Sequence, residues 1–330
     1  MFPLVSVVMP VFNAERFLKE AIESILTQTY RNFEFIIIDD GSTDTSYEVI
    51  NSFTDDRIKY YRKERNSGIV DTLNMGISVA QGKYFARMDA DDISLPMRLE
   101  RQVNFLENNP EIGILGANVQ YFGSKEILSD FPLSNEKIKA QIPFKNPFVH
   151  PVIMGRTEIF KRYPYSSKYR HMEDYYQWFR LMKYTKFSNL KDCLLRYREH
   201  DRGVSKVNSF KNSAYLSELY REILMEIVGE ITDDELKTHS HLKLDFLSDP
   251  SEHIERIGAW FVRLKEKITE QVVFPEKETK EEIDKYAERM FYRLAKYNRL
   301  AAFKYLRLAN STMKIKYLYY LLRVKKKKTQ

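Results

Sequence analysis

Across the first hundred residues, short and almost continuously apolar runs alternate with segments whose apolar residues recur at helical spacing. Val5, Val7, Val8 and Met9 form the first run, closed by Pro10. Phe33 to Ile38, Ile58 to Tyr61 and Tyr84 to Met88 are the next three. Between them lie Phe17, Ala21, Ile22, Ile25 and Leu26, then Tyr47, Val49, Ile50 and Phe53, then Ile69, Leu73, Met75, Ile77 and Ala80. A strand that is apolar at nearly every residue has both faces buried, which is how strands of a parallel sheet read. Strand and helix in alternation predict a doubly wound, mostly parallel α/β sheet flanked by helices. Asn13 reads as the N-cap of the first helix, Thr43 and Asp44 as the opening of the second, and Gly82 as the C′ residue that stops the third.

Right-handed crossovers put the C-terminal ends of such strands on one side, where open α/β sheets bind ligands. Three polar turns follow those ends: Pro10-Val-Phe-Asn13, Asp39-Asp40-Gly41-Ser42 and Asp89-Ala-Asp-Asp92. The last packs three carboxylates into four positions, ahead of a helix whose first turn is expected to hold Pro96. Carboxylate oxygens there suit a hard divalent cation. The plain alternative is an acidic turn with a helix cap.

Further along, Arg98 to Leu106 is an amphipathic helix and Ile112 to Tyr121 an apolar strand containing glycine. Ile142 to Met154, with Pro143, Pro147, His150 and Pro151, reads as irregular and half-extended. Glu173 and Asp174 open a helix carrying Trp178, and Leu194 to His200 is strand-like. From about Phe210 the pattern is helical. One cysteine, Cys193, precludes an internal disulfide and fits a reducing compartment. The start reads as a first strand and not a signal peptide, and no run approaches the ~18 apolar residues of a membrane span.

At this point the residues resemble glycosyltransferase family 2, of the GT-A fold. Val5-Ser-Val-Val-Met-Pro-Val-Phe-Asn13, Ile38-Asp-Asp-Gly-Ser-Thr-Asp44, Asn66-Ser-Gly68 with Leu73-Asn-Met-Gly-Ile77, and Gly82-Lys-Tyr are similar to that family's early motifs. The strongest match is Arg87-Met-Asp-Ala-Asp-Asp-Ile-Ser-Leu-Pro96 followed by Arg98-Leu-Glu100. Glu173-Asp174 looks like the family's late acidic pair. The resemblance covers roughly Leu4 to Ser205. It implies a catalytic domain over 1–205, with a nucleotide-sugar half at 1–110 and an acceptor half at 111–205, and a helical, basic region over 206–330.

The resemblance also implies an activity and its residues: inverting transfer from a nucleotide sugar, most simply a UDP sugar, to a saccharide or lipid-linked acceptor in surface-polysaccharide or lipid-linked glycan assembly. Asp40 would accept the uracil N–H, a suitable partner for an imide donor. Pro10, Phe12, Asn13 and Asn66 would frame the donor. Asp89 would face the ribose or metal-bound water, and Asp91 would bind Mn2+ or Mg2+ with His200 as a further ligand. Arg198 and Arg202 could touch phosphate. Asp174 would be the base, Glu173 would hold the acceptor and His150 would line its pocket. Asp92 stays open between a supporting acid and the cap of the Pro96 helix. Each role has a bland rival: an Asx-turn for Asp40, simple packing for Phe12, first-turn helix acids for Glu173 and Asp174, and structural histidines. His171, His239, His241 and His253 read as surface residues.

The chain's net charge is +7, yet no acid follows Glu288, and thirteen Lys and Arg lie from Arg289 onward, leaving −6 for the rest. Interleaved Tyr and basic residues from Ala287 to Leu322 suit an interfacial helix on anionic lipid, or a helical cap with a solvated basic face. The expected location is the cytoplasm, at the inner face of the membrane if that tail binds lipid. Nucleic acid is not an expected partner, since no recognised module is present. Two rival functions remain: a nucleotidyltransferase, which would want a Gly-rich phosphate loop with lysine after the first strand, and an inactive sugar-nucleotide-binding or scaffold protein.

Overall fold

The computed structural model describes residues 2–169, 171–200, 209–242, 253–270, 273–308 and 317. The chain divides into two compact units, Met1–Ile138 with Asn146–Asn212, and Lys139–Lys145 with Ser213–Gln330.

In the first unit the expected rhythm appears as strands β1 (Val5–Val11), β2 (Phe33–Asp39), β3 (Ile58–Arg62) and β4 (Tyr84–Arg87), separated by helices α1 (Glu15–Leu26), α2 (Ser46–Asn51) and α3 (Ile69–Val79). These strands run parallel in the order β3-β2-β1-β4. Strand β5 (Ile93–Ser94) and helix α4 (Arg98–Asn108) follow, then β6 (Ile112–Phe122), β7 (Ile127–Leu128), helix α5 (Asn135–Gln141), a 3-10 turn at His150–Val152, β8 (Met154–Arg156), helices α6 (Thr157–Arg162) and α7 (Glu173–Leu181), and β9 (Lys186–Arg198). The sheet continues as β8-β6-β9-β5, with β8 antiparallel to both neighbours and β6 parallel to β9. Val5 to Met9 and Phe33 to Asp39 are buried throughout, as the apolar runs require. This is the mixed α/β architecture expected.

Three local expectations change. Asn13 does not cap α1, whose N-cap is Ala14 without a side-chain bond. Gly82 lies beyond the C-cap Ala80 and has no positive φ. Its reason is proximity, because a Cβ there would sit 2.6 Å from the Ser6 backbone N on β1. Pro96 precedes α4, because Ile93 and Ser94 first pair with Arg196 and Leu195 of β9.

The second unit holds all but the first residues of helix α8 (Ser209–Val228), with α9 (Asp233–His241), α10 (Ile254–Lys267), α11 (Glu276–Tyr297) and α12 (Arg299–Leu308). His239, read from sequence as a surface residue, is buried in its core. Trp260 Nε1 donates to His239 Nδ1 at 3.1 Å, and Nε2 lies 2.8 Å from the Pro143 carbonyl, so both ring nitrogens are satisfied. Phe291, Tyr305 and Tyr317 are buried as well. These three aromatic residues of the basic stripe are therefore core, while Phe303 is exposed. Tyr319, Tyr320 and the Lys325–Lys328 run lie outside the described residues. No described helix is long and apolar enough to cross a membrane.

Candidate active site

The first two polar turns fasten each other. Asn13 takes φ 50°, and its Oδ1 accepts the Thr43 N–H at 2.9 Å while its own N–H donates to Ser42 Oγ. Asp44 accepts the Glu15 N–H, Ser46 Oγ accepts the Ala14 N–H, and Glu15 accepts from Thr45. The open N-terminus of α1 is thus satisfied by the β2–α2 loop and not by its own flank. Pro10 is half-buried at the end of β1, and Phe12 projects with 49% exposure.

The two aspartates after β2 have different partners. Asp39 Oδ1 accepts the Ser42 N–H at 2.7 Å, so the Asx-turn belongs to Asp39. Asp40, almost fully buried, accepts from Ser67 N–H, Ser67 Oγ and Gly68 N–H, and pairs with Lys63 at 3.2 Å. Gly41, at φ 75°, makes this approach feasible: a Cβ there would meet the Arg65 and Asn66 backbone at 2.7–2.9 Å. Asn66 itself is exposed beside it.

The acid cluster occupies the turn after β4. One oxygen each from Asp89, Asp91 and Asp92 lie within 4.8 Å of one another. Burial, then the charge of Asp89, raises the Asp91 carboxyl above its usual range; burial with Asp89 and Asp91 raises Asp92 much further. Asp92 is no helix cap. Its Oδ1 accepts the Arg198 N–H at 2.8 Å, and its buried Oδ2 has no partner among the described residues. Arg198, from the end of β9, also donates through Nε to the Asp91 carbonyl, pairs with Glu20, and stacks on Phe17 and Phe122. It braces the acid turn. Arg202 lies outside the described residues. His200 Nε2 lies 2.9 Å from Asp91 Oδ2, more than a hundred residues away in sequence. Hard oxygen donors converging on one point, with one buried oxygen unclaimed, fit Mg2+ or Mn2+ chemically.

A second acid pair stands at the start of α7. Glu173 and Asp174 are half-exposed as residues, but their carboxyl groups sit deep: Glu173 Oε2 is enclosed and has no partner among the described residues. Burial, then the neighbouring Asp174 charge, pushes Glu173 up to about 7. Burial also raises Asp174, against hydrogen bonds from Tyr175 N–H and from Asn146 Nδ2 at 2.7 Å. His150, buried, lies 2.8 Å from Tyr165 OH and edge-on to Trp178; burial holds its pKa well below the usual range, so its ring is neutral. Trp178, fully buried on α7, meets Phe148 and His150 edge-on.

The sequence reading gave no role to Arg87. This buried arginine pairs with Asp89 at 2.5 Å, and its Nε and Nη1 have no partners among the described residues. Its charge lowers both Glu173 and Asp174. The only signal in the sequence is a cation at the end of an apolar strand, directly before three acids.

Comparison with known proteins agrees with the motif match. The model for "Glycosyl transferase family 2" matches residues 6–164. An uncharacterised glycosyltransferase of Haemophilus influenzae is 32% identical over 247 residues, covering 70% of this chain and 76% of its own length. The Escherichia coli enzyme WfgD, named a UDP-Glc:alpha-D-GlcNAc-diphosphoundecaprenol beta-1,3-glucosyltransferase, is 30% identical, covering 71% of this chain and 88% of its own. Among solved structures, S. aureus TarS in complex with UDP-GlcNAc superposes with TM-score 0.60 at 18% identity, covering 89% of this chain and 93% of that one, a likeness of fold.

Proposed function

Because the chain belongs to glycosyltransferase family 2, we propose that it is an inverting, metal-dependent transferase that moves a sugar from a UDP sugar to a hydroxyl of a saccharide or lipid-linked acceptor. The observation that carries this reading is the presence in one unit of two chemically distinct acid groups, Asp89–Asp91–Asp92 and Glu173–Asp174, joined electrostatically through Arg87. WfgD, a relative by sequence, is named for transfer from UDP-Glc to a lipid-linked diphosphate sugar, which favours this donor and acceptor class.

Pro10, Phe12, Asn13 and Asn66 frame the nucleotide, and the uracil N–H shares the Asp40 carboxylate, which Ser67 and Gly68 already orient. Asp89 meets the ribose. Asp91 and His200 hold the divalent ion, with Asp92 and Arg198 fixing the turn from behind. When bound, such an ion neutralises charge on the departing diphosphate. Asp174 takes the proton of the acceptor hydroxyl, whose oxygen attacks the anomeric carbon from the face opposite the nucleotide. The C–O bond to the diphosphate breaks, its electron pair leaves with UDP, and the anomeric configuration inverts. Glu173 hydrogen-bonds the acceptor, and His150 supports that side through Tyr165. Placement in surface-polysaccharide or lipid-linked glycan assembly is favoured by the WfgD name, and the inner membrane face is the setting we propose for it. The thirteen Lys and Arg after Glu288 would meet anionic lipid by charge.

Titration calorimetry of the full chain with UDP and with GDP, each with and without Mn2+, tests the donor half. UDP binding that requires Mn2+ and exceeds GDP binding is expected; equal binding of both, or no effect of Mn2+, contradicts it.

A further inference from the structure

Asn146 heads the run Asn146-Pro-Phe-Val-His150, where the chain re-enters the first unit. Its side-chain amide is engaged at both ends. Nδ2 donates to Asp174 Oδ2 at 2.7 Å, and Oδ1 accepts the Phe148 N–H at 3.2 Å. Turning the amide over would set its oxygen against a carboxylate and its NH2 against an N–H, so the donor end is fixed toward Asp174. The run that carries the amide is seated on the same helix. Phe148 and His150 meet Trp178 edge-on, with ring centroids 5.3 and 5.9 Å away. Trp178 lies four residues after Asp174, on the same face of α7. Asn189 Nδ2 holds the Pro147 carbonyl at 3.4 Å. The other carboxylate oxygen of Asp174 takes the Tyr175 N–H at 2.7 Å. Each oxygen thus carries a donor and keeps lone-pair capacity for an incoming hydroxyl.

We infer that Asn146 is a positioning residue for the base: its amide holds the Asp174 carboxylate by one oxygen and aims it at the acceptor hydroxyl, while Phe148 and His150 seat that amide on α7. The inference rests on the proposed role of Asp174, although the hold on the carboxylate can be tested without any turnover.

A neutral amide that donates to a carboxylate favours its charged form. Burial opposes that form at Asp174, and the Asn146 bond works against burial. Among the described residues, the ionisable groups bearing on Asp174 from the elements around it are Glu173 on α7, Arg87 on β4 and Tyr165 after α6, with His150 neutral on the 3-10 turn. Substitution of Asn146 leaves all four in place, so a shift at Asp174 reads the loss of one bond. Asn146→Ala removes the donor. Asn146→Asp keeps the size and sets a second carboxyl group against the first, so that the two share a proton and ionise less readily.

The experiment follows the infrared carbonyl band of protonated carboxyl groups against pH in the full chain, with Asp174→Asn and Glu173→Gln assigning the signal. Asn146→Ala is expected to move the Asp174 midpoint upward by about one unit, and Asn146→Asp to move it further. With UDP-glucose or UDP-GlcNAc and water as acceptor, Asn146→Ala should lower kcat about tenfold at neutral pH with partial recovery at higher pH, while donor KM changes less than about threefold. An unmoved midpoint in either folded variant overturns the inference; so does a loss carried entirely by donor KM. Should Asn146→Ala fail to fold, Asn146→Asp decides, and failure of both would assign Asn146 to the fold alone and overturn the inference as well. If neither nucleotide sugar turns over, or Asp174→Asn transfers normally, the proposed function is at fault, and the infrared titration still judges Asn146.

Discussion

The two acid groups of the first unit are built differently. Asp89, Asp91 and Asp92 crowd a loop, with Asp89 and Asp91 half-buried, and charges within the cluster add to burial in raising Asp91 and Asp92. Glu173 and Asp174 begin a helix with their carboxyl groups submerged, where burial is the leading influence on both. A cluster that repels itself and stays accessible is suited to a cation from solvent. A submerged pair whose proton affinities are both raised by burial is suited to moving a proton. The same residue type thus acquires two chemistries from its surroundings.

Replacement of each group should break the molecule differently. The largest effect is expected for Asp174→Asn, with kcat for transfer down about 10²- to 10⁴-fold and Mn2+-dependent UDP binding retained, read by steady-state rates beside calorimetry. Asp91→Ala should do the reverse first, weakening Mn2+-dependent UDP binding by more than about tenfold. If both variants lose binding alike, the division between the groups is wrong.

The submerged pair also predicts a stability signature. Glu173 binds its proton more tightly in the fold, at about 7, than in the unfolded chain near 4.5. The folded form is therefore favoured below pH 4.5, and that advantage disappears as pH rises through 7. Glu173→Gln should accordingly gain stability over the parent between those pH values, reaching at most about 3 kcal/mol above pH 7, with no gain at pH 4. Denaturant melts at the two pH values measure it. A smaller effect is expected of Gly82→Ala, which pushes a methyl against the start of β1, far from either acid group along the strands, and should cost about 1–3 kcal/mol, seen as a lower Tm.

The sheet's parallel half was legible because continuous apolar runs admit few folds, and the acid turn because three carboxylates in four positions stand out, whereas Asp40 and the Glu173–Asp174 pair were singled out through the family resemblance. What escaped notice depends on the third dimension. The partners of Asn13 and Asp40 come from about thirty residues away, and those of Asp92 from over a hundred. His239 hides in a polar Thr-His-Ser-His run, where no apolar periodicity marks a buried ring. Arg87 looks like an ordinary surface cation until β4 is seen to be central in the sheet.

The most direct test of the account is nucleoside diphosphate release from a panel of nucleotide sugars with a lipid-linked diphosphate sugar as acceptor, run with and without Mn2+, for the parent chain and Asp174→Asn. The account predicts release that needs Mn2+, favours a UDP sugar and is nearly abolished in Asp174→Asn. Release that ignores Mn2+, or that survives intact in Asp174→Asn, would contradict it.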